Sequence, residues 1–212
     1  MNIDNLKSIY EVIKLSENLK KELRHSWLSD NRRESVAEHT WRVSFMAILL
    51  EPLIKEEFHG IDYNKVIRMI IVHDIVEAIS GDVFLTEQIK DPSIKLIKKQ
   101  KEKEAIKFIT DKLKSSNGEE ILELFLEFED KKSIEAIIAN SMDKLEAQIQ
   151  HNQSKIDTWE EIEYSMTYIL NKHTKNTLVM DELRKIIVDD AELKMKEKGL
   201  DIEDIKIKST HL

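Results

Sequence analysis

The sequence predicts an all-α fold, and three observations predict it. Glycine and proline are scarce, four and two in 212 residues, whereas a sheet-rich chain needs many tight turns. Apolar residues recur at helical spacing through most of the chain. The segments between them begin and end on recognisable caps. Hydrophobic residues make up 41% of the chain, enough for one buried core.

Taken in order, Leu6, Ile9, Tyr10, Ile13 and Leu19 mark one face of a first helix. The stretch from Arg24 to Glu34 is polar and basic and reads as a loop. Ser35-Val36-Ala37-Glu38 has the S-x-x-E pattern of a capping box, so a helix starts at Ser35 and runs to about Glu57. Gly60 interrupts it. Asp62 caps the next helix, which runs to Ser80 and stops at Gly81. Asp91 and Pro92 read as N-cap and first position of a charged helix reaching Ser115, ended by Asn117-Gly118. Helices follow over 119–128 and 131–151. Asp157 with Glu160 caps one that ends near His173, and a last helix over 177–198 closes at Gly199. No repeat or linker divides 1–199, which reads as a single domain. Residues 200–212 form a tail with little to pack against.

Composition excludes several functions. The net charge of −8 disfavours nucleic-acid binding, which needs clustered Lys and Arg. It leaves room for a small anion held by a local basic pocket or a metal ion. The basic run at 98–103 alternates with Glu102 and Glu104 and reads as a solvated helix face. With no cysteine, disulfides, thiolate-held zinc and cysteine nucleophiles are excluded, and so is the zinc nucleobase-deaminase arrangement. The N-terminus lacks a signal-peptide pattern. No apolar run approaches the roughly 18 residues of a membrane span. A soluble cytoplasmic protein with no membrane partner is the expectation.

Chemistry concentrates at Val72-His73-Asp74-Ile75-Val76-Glu77, inside the apolar run of the 62–80 helix. Three ionisable groups in a core-like helix are costly unless something satisfies them, and a cation would. His73 and Glu77 are four apart and share a helical face. Asp74 is turned by about 100° from His73 and could still reach the same ion. His39 lies among Val36, Ala37, Val43 and Ala47, and Asp143 lies between Ile137, Ile138 and Leu145. Both are polar residues at inward-looking positions. Two imidazoles and two carboxylates favour Mn, Fe, Co, Ni or Zn over Mg or Ca. Trp41 reads as a packing residue. Leu113, Ile121, Leu124, Phe125 and Phe128 read as core or subunit interface. His25, His59, His151, His173 and His211 show no partner pattern.

His39, the pair His73-Asp74 and the distant Asp143 resemble the H…HD…D signature of the HD-domain superfamily. The stretches Glu34-Ser35-Val36-Ala37-Glu38-His39, His73-Asp74-Ile75-Val76-Glu77, Gly81-Asp82 and Met142-Asp143-Lys144-Leu145 are closest to its 5′-deoxynucleotidase branch. The resemblance covers roughly Leu6 to Gln150. It implies a helical HD-domain bundle around a central metal site. His39, His73, Asp74 and Asp143 would ligate one divalent transition metal ion. Glu77 would be the acid/base or water-orienting residue, and Asp82 would assist near the attacking water or substrate. Arg24 would bind the phosphate, with Arg32 and Arg33 adding to the basic rim, and Trp27 would line the sugar pocket. The segment Arg24-His25-Ser26-Trp27 departs from the family's Arg-x-Gly-Trp. Gly81-Asp82-Val83 lacks the proline often found after Gly-Asp. Both departures fall near the sugar and leave the metal ligands untouched.

The implied reaction is hydrolysis of 2′-deoxynucleoside 5′-monophosphates, and the implied assembly is a homodimer. Two alternatives remain. One is an HD-type hydrolase of another nucleotide phosphate ester (a triphosphate, a cyclic nucleotide or an alarmone). The other is a non-catalytic helical interaction module with a structural metal.

Overall fold

The structure is a computed structural model that describes residues 2–113 and 116–212. Asn2 starts α1 (Ile3–Leu15) by accepting from the Asp4 and Asn5 amides. A 3₁₀ turn (Ser16–Lys20) follows. The face α1 buries is not the expected one. Ile9, Val12 and Leu15 turn inward, while Leu6, Tyr10 and Ile13 are each more than half exposed. Leu19 sets this phase, because it docks with Leu15 against Val36 and Ala78.

The expected loop over 24–34 is instead a small antiparallel hairpin. β1 (Leu23–Trp27) pairs with β2 (Arg33–Ser35), Leu23 opposite Ser35 and Trp27 opposite Arg33. Asn31 takes a positive φ of 70° in the turn, a conformation asparagine tolerates. The strands are too short and too polar to show a period-2 pattern.

The capping box at Ser35 forms as expected. Ser35 Oγ accepts from the Glu38 amide, and the Glu38 carboxylate accepts from the Ser35 amide. It opens α2 (Val36–Glu57). The next helix, α3 (Tyr63–Val72), is capped by Asp62 but stops before His73. From there, i→i+3 bonds join Val72 to Ile75, Asp74 to Glu77 and Ile75 to Ala78, leading into a short α4 (Glu77–Ser80). The expected continuous helix to Ser80 is therefore tightened at the His-Asp pair, and no Gly or Pro announces it.

α5 (Leu85–Lys90) and α6 (Pro92–Lys112) follow, the latter capped by Asp91. The expected helix end at Ser115 lies outside the described residues. Asn117-Gly118 does not terminate α6. It sits in the first turn of α7 (Ser116–Asp130). A Cβ on Gly118 would come within 2.8 Å of the Thr110 carbonyl oxygen, so glycine permits the tight α6–α7 corner. Leu124, Phe125 and Phe128 are buried, so this stripe is core.

α8 (Ile134–Gln153) runs through the centre, followed by α9 (Glu161–Ile169), α10 (Asn171–Thr174) and α11 (Leu178–Glu197). Val43, Met46 and Ile54 of α2, Val66, Met69 and Ile70 of α3, Ile138, Met142 and Leu145 of α8, and Met180 and Ile187 of α11 form the main core. The tail is not loose. It forms α12 (Ile202–Ser209), which buries Ile202 and Ile205 with Trp159, Tyr164, Ala191 and Met195. Trp41 is not a packing residue. It is 67% exposed and stacks on Phe45 along the outer face of α2. Among the described residues no helix is long and apolar enough to cross a membrane.

Candidate metal centre and active site

Two helices and a tight turn deliver the four expected ligands. α2 brings His39 one turn past its cap, α8 brings Asp143, and the tightened turn after α3 brings His73 and Asp74. Their atoms form a closed four-membered ring. His39 Nε2 is 3.0 Å from Asp143 Oδ1 and 3.7 Å from Asp74 Oδ2. His73 Nε2 is 3.1 Å from Asp74 Oδ2 and 3.8 Å from Asp143 Oδ1. Donors held about 2.1 Å from one ion stand about 3.0 Å apart at right angles and about 3.4 Å apart at tetrahedral angles. Two ring edges, at 3.0 and 3.1 Å, match that spacing, and the other two, at 3.7 and 3.8 Å, are slightly longer.

Both imidazoles are prepared for a cation. His73 Nδ1 donates to the Ile70 carbonyl oxygen at 2.6 Å, and a carbonyl can only accept. His39 Nδ1 meets the Glu146 carboxylate. In each neutral ring the Nε2 lone pair therefore faces the carboxylates. His73 Nε2, Asp74 Oδ2 and Glu77 Oε2 are buried without a hydrogen-bond partner. Polar atoms are rarely left so unless a ligand completes them. Burial works against a proton on His73, yet Asp74 and Asp143 hold its pKa up to about 10. The field that retains a proton there also suits a metal ion. Asp143 is kept well below the usual carboxylate range. Burial opposes this, but Lys144, whose Nζ is 2.8 Å away, and the two histidines overcome it.

Arg24 reaches this ring from β1. Its Nη1 lies 3.8 Å from Asp74 Oδ2 and its Nε 3.4 Å from Glu34 Oε2. Burial would lower its pKa, but the surrounding carboxylates, Asp74 foremost, raise it. Glu77 is buried, and burial first, then Asp74 and Asp82, push its carboxyl well up. It does not pair with Arg68 or Lys65, which bind Glu120 and Glu127. Burial also raises Asp82, with Asp74 adding to it and Arg24 opposing. Its amide donates to Glu22 Oε1 at 3.0 Å. Gly81 has φ 74°, and a Cβ there would come 3.3 Å from the same oxygen, so the Gly-Asp corner needs its glycine.

The HD domain family model matches residues 16–184. The chain belongs to the HD domain family. All of the cluster residues lie within the matched HD domain. It is similar to 5′-deoxynucleotidase HDDC2 of Dictyostelium discoideum, with 35% identity over 147 residues, 66% of this chain and 74% of that protein. Human 5′-deoxynucleotidase HDDC2 is 30% identical over 149 residues, 69% of this chain and 68% of its own length. 5′-deoxynucleotidase hdd1 of Schizosaccharomyces pombe is 32% identical over 153 residues, 69% and 72% of the two chains. The crystal structure of a predicted metal-dependent phosphohydrolase from Magnetospirillum magnetotacticum superposes with a TM-score of 0.73. It is 25% identical and covers 90% of this chain and 97% of that one.

Several further residues have partners of their own. The Trp27 ring lies 4.2 Å under the Arg33 guanidinium. Arg32 pairs with Glu38 and reinforces the helix cap. Lys98 is not part of a solvated face. Its Nζ lies 3.7 Å from Glu77 Oε1 and pairs with Glu102. His25 and His151 are not isolated, since both Nε2 atoms approach Glu163 Oε1, at 3.2 and 3.4 Å.

Glu34, Arg42 and Glu146 were not singled out from the sequence, yet they surround the site. Glu34, His39 and Glu146 form a second buried group with metal-ligand spacing. Its carboxylates are met by Arg24 and Arg42, so cations of the chain already balance it. One signal was available. Arg42 is three residues after His39, and Glu146 three after Asp143, so each shares a helical face with a predicted ligand.

Proposed function

We propose that this HD domain protein is a divalent-metal-dependent 5′-deoxynucleotidase that releases inorganic phosphate from 2′-deoxynucleoside 5′-monophosphates. The observation that carries the reading is the ring of His39, His73, Asp74 and Asp143, with its unpartnered Nε2 and Oδ2 atoms, beneath a buried arginine. The names of the similar nucleotidases supply the substrate class.

In this reading the four residues hold one transition-metal ion, with Mn, Co, Fe, Ni and Zn suited to the mixed donor set. A bound ion supplies Lewis-acid polarisation at phosphorus and makes water more acidic. Arg24 holds two phosphoryl oxygens and offsets the charge that gathers on them. Water attacks phosphorus in line, and the bond to the 5′ oxygen breaks with its electron pair going to that oxygen. Glu77, whose carboxyl is pushed well up by burial and by Asp74 and Asp82, delivers a proton to the departing 5′ oxygen. Asp82 orders the attacking water and takes the proton it loses, and Glu77 regains a proton from solvent after product leaves. Trp27, three residues along β1 from Arg24, lines the sugar side.

The apolar stripe Trp41, Phe45, Ile48, Leu49 and Leu53 on the outer face of α2 supports a homodimer. A cytoplasmic location is retained as part of the same reading.

The test is phosphate release by metal-stripped protein resupplied with Mn, Co, Zn or Mg, on matched deoxy- and ribonucleoside monophosphates, with His73→Ala as control. Phosphate from the deoxy series, absent in the variant, is expected. Pyrophosphate or triphosphate release from longer nucleotides would replace this reading with another HD-type hydrolase. No hydrolysis of any phosphate ester would favour the interaction module.

A further inference from the structure

His39 is held from behind. Its Nδ1 meets Glu146 Oε2, while its Nε2 faces Asp143 and Asp74. Glu146 is entirely buried, and a carboxylate in that position is costly unless it is paired. Arg42 pairs with it, its Nε donating to Glu146 Oε1 at 2.5 Å. Arg42 is itself fixed by donating to Gln153 Oε1 at 2.7 Å and to Gln150 Oε1. Gln150 in turn donates to the Trp27 carbonyl oxygen at 2.6 Å, which ties β1 to α8.

The arrangement closes on itself. Arg42 Nη2 lies 3.7 Å from Glu34 Oε1, and Glu34 Oε2 lies 3.4 Å from Arg24 Nε. Arg24 Nη1 then returns to Asp74. His39, Glu146, Arg42, Glu34, Arg24 and Asp74 thus form one closed ring of charged and titratable side chains. Two turns of helix build half of it. His39 and Arg42 share a face of α2, and Asp143 and Glu146 share a face of α8.

We propose that Glu146 is a positioning residue of this site. It fixes the His39 ring with Nε2 toward the ion, and Arg42 and Glu34 carry that hold across to Arg24. The inference rests on the proposed metal site. A carboxylate on the far nitrogen of a ligating imidazole orients the ring, selects its tautomer and strengthens it as a donor. Glu146 touches neither substrate nor reacting atoms in this scheme and acts through His39.

The experiment is a titration of metal-stripped protein with Co²⁺, followed by visible absorption, for the native chain, Glu146→Ala and Glu146→Gln. Circular dichroism checks the fold. Glu146→Ala is expected to weaken Co²⁺ binding about 10–100-fold. Glu146→Gln, which still offers an oxygen to Nδ1–H, is expected to lose less. The ¹⁵N resonances of His39 are expected to show the Nδ1–H tautomer in the native chain and in Glu146→Gln, and a mixture in Glu146→Ala. Activity of Glu146→Ala is expected to return as Co²⁺ is raised. Unchanged Co²⁺ affinity and tautomer in a folded Glu146→Ala would overturn the inference and leave the metal site standing. A native chain that binds no Co²⁺ would overturn both.

Discussion

At the residue scale, each charged group of the site has a different neighbour. Asp74 and Asp143 face two imidazoles and stay ionised. Glu77, a turn away, meets burial and two further carboxylates, which push its carboxyl well up. Environments that push two acids apart divide their roles. Glu77→Gln is expected to lower kcat by about 10²–10⁴-fold, with little change in Co²⁺ binding. The sign of its pH dependence follows. In the proposed mechanism the protonated form donates, so kcat should fall as pH rises through the raised Glu77 value, and that limb should vanish in Glu77→Gln. A pH–rate profile of both proteins checks this. His39, His73, Asp74 and Asp143 were legible in the sequence because ionisable residues at apolar helix positions need an explanation. Glu34, Arg42 and Glu146 were not, since each alone reads as an ordinary solvated charge. Only the fold shows that they are buried and paired.

At the element scale, helix starts carry most of the positioning. The Ser35–Glu38 box fixes where α2 begins, and His39 follows one residue later. Removing the Ser35 hydroxyl should cost about 1 kcal/mol. Ser35→Ala is therefore expected to lower Tm by about 2–4 °C in calorimetry, a typical response for a chain of this size. Caps and glycines made the ends of most helices legible. The hairpin was missed because β1 and β2 are short and polar. The break after Val72 was missed because i→i+3 tightening needs no special residue. The phase of α1 was missed because both of its faces carry apolar residues, and only the docking of Leu19 decides between them.

At the scale of the whole molecule, α8 supplies both the floor of the core and one wall of the site. Met142 and Leu145 pack inward while Asp143 and Glu146 face the histidine. The same helix therefore couples stability to chemistry. α12 was expected as a loose tail with little to pack against, yet two isoleucines one turn apart suffice to anchor it. The outer face of α2 has the opposite character, with large apolar side chains left in solvent. Trp41→Glu is expected to convert the proposed dimer to a monomer in sedimentation velocity while sparing metal binding. A native chain that sediments as a monomer would remove the dimer from the reading.

The central claim is that one divalent ion sits between His39, His73, Asp74 and Asp143. Diffraction from Mn²⁺-soaked crystals, recorded near the manganese edge, tests it most directly. The account predicts an anomalous peak within bonding distance of all four side chains, lost in His73→Ala. A peak elsewhere, or none at these residues, would contradict it.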